Sequence, residues 1–306
     1  MLMMLIATAV FMAWAIGAND SAKAVGTAVG SGILGFKRAV LLIGVFVFIG
    51  AFLGGSGVSN TVSGLARGME PVTIGLVLFS AAITVTLASL WGNPISTTQA
   101  IIGALVGATL AEGLPVDWPV VGKIVLTWII SPALAGVLAV GTYIPYKHLL
   151  NRIKHLGLLE LTQKWLAFTA SAYASFNLGA NELANVIGLA DGGSGVKGLL
   201  AIALGIGALT FSYEVMMTVG RDLAPLGPTS GFSAQMGAAL AVTLANLFGI
   251  PVSSGQAIVG AISGVSLYKG EKLNKKALKG ILRGWVTAPT ASGVLAFILV
   301  SLFSSF

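Results

Sequence analysis

The sequence predicts an all-α polytopic membrane protein made of two inverted-topology repeats, with broken or short helices meeting at the midplane. Three observations predict this class. The composition is too apolar for water, the same motifs return after 157 to 162 residues, and equivalent loops carry opposite charge.

Of the 306 residues, 56% are hydrophobic and only 9% are charged, against about 25% charged in a soluble domain. A surface that poor in charge excludes a soluble globular enzyme. The apolar residues run in blocks, which excludes collagen and disorder. Runs such as Ala39 to Phe52 do not alternate, so the spans are not barrel strands. At about 20 residues per span, with short loops, the chain holds about ten to twelve hydrophobic segments. The absence of cysteine excludes disulfides, thiolate metal sites and a cysteine nucleophile. The net charge of +7 is what basic cytoplasmic loops give, and it is not the footprint of a nucleic-acid partner. Ala13-Trp14-Ala15 resembles a cleavage site, but no basic region precedes it, so Leu2 onward is read as a first membrane segment.

The duplication is direct. Gly17-Ala18-Asn19-Asp20 returns as Gly179-Ala180-Asn181-Glu182, and Pro94 to Gly103 returns as Pro251 to Gly260. Trp128, Pro132 and Gly136 to Ala139 return as Trp285, Pro289 and Gly293 to Ala296. The expected organisation is a first membrane repeat over 1–150, a basic cytoplasmic joint over 151–162, and a second, inverted repeat over 163–306. Inversion follows from the loops. Ala111 to Pro119 holds Glu112 and Asp117, whereas Tyr268 to Lys276 holds four lysines against Glu271. Basic short loops stay in the cytoplasm, so these equivalent loops face opposite sides. Five crossings per half put Lys37-Arg38, the joint and the lysine loop inside, with both termini outside the plasma membrane.

Two pairs of segments are read as interrupted or short. Leu2 to Gly35 is expected to break at Gly17 to Asp20, and Ala167 to Gly195 at Gly179 to Glu182. The short runs Ile95 to Ala111 and Val252 to Leu267 each follow a proline. Matched interrupted segments point to a binding site between repeats. Asn19 or Asp20 can cap the helix running on through Val25. Ser96, Thr97, Ser253 and Ser254 fall at helix starts, where unpaired N–H groups and the dipole favour an anion. Their hydroxyls suit tetrahedral oxygens, and Asn, Asp and Glu oxygens suit a small hard cation. Serine and threonine in membrane helices often bond only their own backbone; duplication after a proline argues for more. Asp20 and Glu182 are carboxylates at equivalent places inside the membrane, where a charge is costly and marks function. Gln99 and Gln256 follow the hydroxyls, and Asn185 lies one turn beyond Asn181.

At these residues the chain resembles the inorganic phosphate transporter (PiT) family, whose halves each carry a Gly-Ala-Asn-Asp signature and a later Pro-Val-Ser-Thr-Thr-His-like block. The resemblance covers nearly the whole chain and takes in Gly26 to Gly32 and Leu226 to Phe232. It implies a cation-coupled symporter for phosphate, a secondary active transporter working by alternating access, with sulfate as the alternative substrate. Phosphate is then expected at Asn19, Thr27, Ser96, Thr97, Thr98, Gln99, Asn181, Ser253, Ser254 and Gln256. The coupling ion, Na+ or H+, is expected at Asp20, Glu182, Asn185 and Lys23, with Na+ itself at Asp20 and Glu182. No cofactor is expected, and a homodimer is implied by the resemblance alone. Three departures stand out: Gln99 and Gln256 replace histidine, Glu182 replaces the second aspartate, and Lys23 stands where the family usually has asparagine. Lys23 could snorkel to an interface or sit beside Asp20 as a tethered cation.

The rival from another class is an intramembrane serine protease. Gly54-Gly55-Ser56-Gly57 and Gly192-Gly193-Ser194-Gly195 match its short pattern, but a serine nucleophile needs a base in reach. The two histidines, His148 and His155, lie in the polar stretch Pro145 to Lys164 that holds the joint, not in a span. A channel is a third option, disfavoured by carboxylates at the helix breaks. The reading is therefore a transporter and not an enzyme.

Overall fold

The computed structural model describes residues 1–190 and 193–304, the Asp222 side chain excepted. The first repeat contains α1 (Leu2–Gly30), α2 (Phe36–Leu53), α3 (Ser56–Leu65), α4 (Pro71–Leu90), α5 (Thr97–Ala111) and α6 (Trp118–Leu150). The second contains α7 (Leu156–Asn177), a π-helical turn (Leu178–Leu183), α8 (Ala184–Ala190), α9 (Ser194–Thr210) and α10 (Ser212–Met217). A second π-helical turn (Thr218–Asp222), α11 (Pro228–Leu247), α12 (Ser254–Tyr268) and α13 (Lys275–Phe303) complete it.

The motifs at the helix starts explain the boundaries. Pro71 and Pro228 open α4 and α11, where a missing N–H costs nothing. Ser96 and Ser253 cap α5 and α12 by accepting the N–H of Gln99 and Gln256, both at 3.2 Å. Asp117 caps α6 and Asn274 caps α13 in the same way. The cap pairs at Ser96 and Ser253 are spaced by 157 residues, as are the two opening prolines.

The repeats interlock around α5 and α12, which lie at the centre with most of their residues buried. Helix α5 packs on α13 of the other repeat, and α12 packs on α6. Helix α1 packs on α9, and α7 on α2. Glycine makes these crossings close. A Cβ at Gly103 would overlap the Pro289 carbonyl, and one at Gly260 would overlap that of Pro132. Gly17 meets the Leu204 carbonyl and Gly179 that of Val47 in the same matched way. Small residues let membrane helices approach backbone to backbone, where dispersion holds them. The outer faces carry large apolar side chains such as Leu41, Ile129, Val137 and Phe248. The molecule is an all-helical integral membrane protein of two repeats.

The expected interruption of the first segment is corrected. Helix α1 runs unbroken through Gly17 to Asp20, so neither Asn19 nor Asp20 is a cap. Gly17 serves close packing there, and the polar side chains find tertiary partners. In the second repeat the same motif is a π-helical turn inside a helical run from Leu156 to Ala190. The matched breaks lie elsewhere: at Gly54-Gly55, where Gly55 takes φ 81°, and at Phe211, where α9 and α10 bend by 75°. Among the described residues five helices are long and apolar enough to cross a membrane, or six if the bent pair is one span. Helices α5 and α12, at 15 residues each, are short for a crossing. The stretch 151–162 holds the α6–α7 turn and the first turns of α7.

Candidate functional site

Two fully buried carboxylates meet where α1, α5, the π-helical turn and α12 converge. Asp20 and Glu182 are both 0% exposed. Thr97, the first residue of α5, lies between them: its hydroxyl is bonded to Asp20 and stands 2.9 Å from Glu182 Oε2. Thr98 Oγ1 donates to the same Oε2 at 2.5 Å. From α12, Ser254 offers both its hydroxyl and its N–H to Glu182 Oε1, at 2.7 and 3.2 Å. One carboxylate therefore draws on the first turns of both short helices, where the dipole favours negative charge.

Lys23 enters from the next turn of α1. Its Nζ lies 2.5 Å from Asp20 Oδ1, and the residue is buried. The snorkelling alternative is set aside: the ammonium points into the protein. Asn185, equivalent to Lys23 in the second repeat, donates from Nδ2 to Thr98 Oγ1 at 3.3 Å, while its Oδ1 is buried without a partner among the described residues. Gln99 and Gln256 are buried too, each with Oε1 unpartnered among the described residues.

Other expected site residues are engaged in architecture. Asn19 brackets the extended lead-in to α5: its Oδ1 accepts from the Ile95 N–H at 3.1 Å and its Nδ2 donates to the Asn93 carbonyl at 3.0 Å. Asn181 holds Val252 likewise, accepting from its N–H at 3.3 Å and donating to its carbonyl at 2.7 Å. These clamps fix where α5 and α12 begin. The Ser96 and Ser253 hydroxyls serve as caps. Thr27 is away from the carboxylates and donates to Gln235 Oε1 on α11 at 2.9 Å.

Gln235 is one of the residues the sequence reading missed. Its Nε2 donates to the Lys23 carbonyl at 2.7 Å. Asn177 is another, tying α7 to α11 through the Ala239 carbonyl at 3.1 Å. The available signal was an amide within an apolar helix, which must find a partner when buried.

A groove of about 800 Å3 runs between α4 and α13 and reaches Asn93, Pro94 and Ile95, with Lys276 and Arg283 along its wall. On the equivalent face α11 and α6 are closed together, and a Cβ at Gly237 would overlap the Ala139 backbone.

A sequence profile of the phosphate transporter family matches residues 16–162 and again 151–296. The chain belongs to this family. Two matches along one chain agree with the two repeats. A protein of Pyrococcus furiosus, named as a candidate phosphate permease, is 30% identical, with 94% of this chain and 92% of that one covered. One of Methanocaldococcus jannaschii, named in the same way, is 33% identical over 94% and 93%. Among solved structures, a sodium-dependent phosphate transporter superposes with a TM-score of 0.86 over 100% of this chain and 99% of that one, at 23% identity. That likeness bears on the fold. The protease pattern finds no support in the geometry: His155 caps α7 by accepting the Leu158 N–H, Ser56 opens α3, and Gly192 lies outside the described residues.

Proposed function

We propose that this member of the phosphate transporter family is a secondary active, cation-coupled symporter for inorganic phosphate, working by alternating access in the plasma membrane with both termini outside. It is a carrier and not an enzyme. The observation that carries the reading is Glu182, which holds hydroxyls and an N–H from the starts of both α5 and α12 at once. Those helix starts are the anion site, with Thr97, Thr98, Ser254, Gln99 and Gln256 as the side chains within reach. The carboxylates are the cation site. With no cation bound, Glu182 keeps the hydroxyl protons to itself. A cation on Glu182 offsets its charge, and the hydroxyls turn toward the anion. Binding of one ion thus favours the other, as linkage requires. The groove between α4 and α13, with Lys276 and Arg283 on its wall, is the anion's route to the basic side. The opposite state closes it and opens the α11–α6 face.

The test is uptake of radiolabelled phosphate into proteoliposomes, with sodium or proton gradients imposed separately and unlabelled sulfate as competitor. Gradient-driven uptake that sulfate leaves untouched is the expected result. Uptake blocked by sulfate would move the substrate to sulfate, and absence of gradient-driven uptake would overturn the symport reading.

A further inference from the structure

Two pairs of equivalent positions break the correspondence between the repeats around the carboxylates. Asp20 corresponds to Glu182, and Thr97 to Ser254, both hydroxyl-bearing. Lys23 corresponds to Asn185, and Thr98 corresponds to Gly255. In the second repeat's site the pair Asn185 and Thr98 is joined by a hydrogen bond of 3.3 Å. In the first repeat's site the pair is Lys23 and Gly255, and a Cβ on Gly255 would stand 3.0 Å from Lys23 Cε. The lysine stem occupies the room that a threonine side chain takes in the other half. The two departures from symmetry therefore compensate each other.

Electrostatics gives the pair a meaning. Both carboxylates are fully buried, and an unpaired buried charge is costly. Asp20 has a cation built in, at 2.5 Å. Glu182 has only neutral donors among the described residues: Thr97, Thr98 and Ser254. The Asn185 amide is tied to Thr98, and its Oδ1 is buried with no partner among the described residues. Glu182 Oε2 and Thr98 Oγ1 are hydrogen-bonded to each other, and the Asn185 amide is hydrogen-bonded to that same hydroxyl; carboxylate, hydroxyl and amide oxygens are the ligand types a hard monovalent cation takes. The first repeat's site offers no such amide oxygen, because lysine brings a charge in place of a ligand.

We propose that Lys23 is a resident cation, holding at Asp20 the place that a mobile cation takes at Glu182, so that the chain moves one coupling cation where a symmetric site would move two. Gly255 is the positioning residue that admits it. The inference rests on the symport reading and specifies its stoichiometry.

The experiment titrates sodium against phosphate uptake in proteoliposomes for the native chain, Lys23→Asn, and Lys23→Asn combined with Gly255→Thr. The native chain is expected to give a Hill slope of about one, and the double variant, with its second amide–hydroxyl pair restored, a slope rising toward about two. At zero membrane voltage, the sodium gradient that just balances an opposing phosphate gradient gives the stoichiometry independently. A merely structural Lys23 would lower thermal stability when replaced and leave the slope and the balancing gradient where they were; that result overturns the inference. A native slope near two overturns it as well. Where the double variant does not fold, the native balancing gradient decides alone: more than one sodium per phosphate is the overturning result. If protons drive uptake instead, the same titration and balancing gradient are read in protons. Gradient-driven uptake with the wrong slope defeats this inference only, whereas absence of uptake in the native chain defeats the symport reading beneath it.

Discussion

At the scale of single residues, the site turns on two carboxylates that share one threonine. Asp20 is paired with Lys23, Glu182 gathers the Thr98 and Ser254 hydroxyls and the Ser254 N–H, and the Thr97 hydroxyl, with its one proton, stands between the two carboxylates. Replacing Asp20 by Asn leaves Lys23 buried without its counter-charge. Asp20→Asn is expected to abolish phosphate uptake while the protein still elutes as a folded species in detergent; wild-type uptake by this variant would sink the mechanism. Glu182→Gln removes the charge but keeps the shape. Hydrogen bonds to a charged group are worth about 1.5–3 kcal/mol, so the half-saturating sodium concentration should rise about tenfold to a hundredfold. An unchanged sodium requirement would place the mobile cation elsewhere.

At the scale of helices, the molecule depends on glycines that bring α5 and α12 against the long helices of the other repeat. Gly103 and Gly260 meet the carbonyls of Pro289 and Pro132. Gly103→Val would force α5 away from α13. Overpacking costs about 1–3 kcal/mol, so the thermal midpoint in detergent should fall and uptake with it. A Cβ added at Gly44, inside α2, would meet nothing within 4 Å among the described residues, so Gly44→Ala is expected to hold the midpoint or raise it by up to about 2–4 °C, the gain of about 1 kcal/mol that alanine has over glycine in a helix. Equal effects of the two changes would show that the crossing is not the seat of stability.

At the scale of the whole chain, inversion makes a prediction about sidedness. Val116 lies in the acidic loop between α5 and α6, and Lys272 in the equivalent lysine-rich loop between α12 and α13. The sequence has no cysteine, so Val116→Cys and Lys272→Cys each report alone. An impermeant maleimide applied to intact cells is expected to label Val116→Cys and not Lys272→Cys, with the pattern reversed in inside-out vesicles. Labelling of both from one side would refute the inverted arrangement.

The sequence by itself determined the membrane class, the duplication, the starts of the two short helices and the identity of the two carboxylates. Each of these follows from local or repeated chemistry: apolar length, proline before a capping serine, and a charge where charge is costly. The break expected at Gly17 to Asp20 was illegible for a physical reason. Glycine, asparagine and aspartate disfavour an isolated helix, but here Gly17 admits the Leu204 carbonyl, and Asn19 and Asp20 are satisfied by the α4–α5 segment and Lys23. Tertiary partners overrode local preference. Only the folded structure decided that Asn19 and Asn181 clamp the lead-ins to the short helices, that Thr27 belongs to Gln235, and that Gly255 makes room for Lys23. Those are contacts between residues 70 to more than 200 positions apart, and no local pattern encodes which distant side chain a buried polar group will meet.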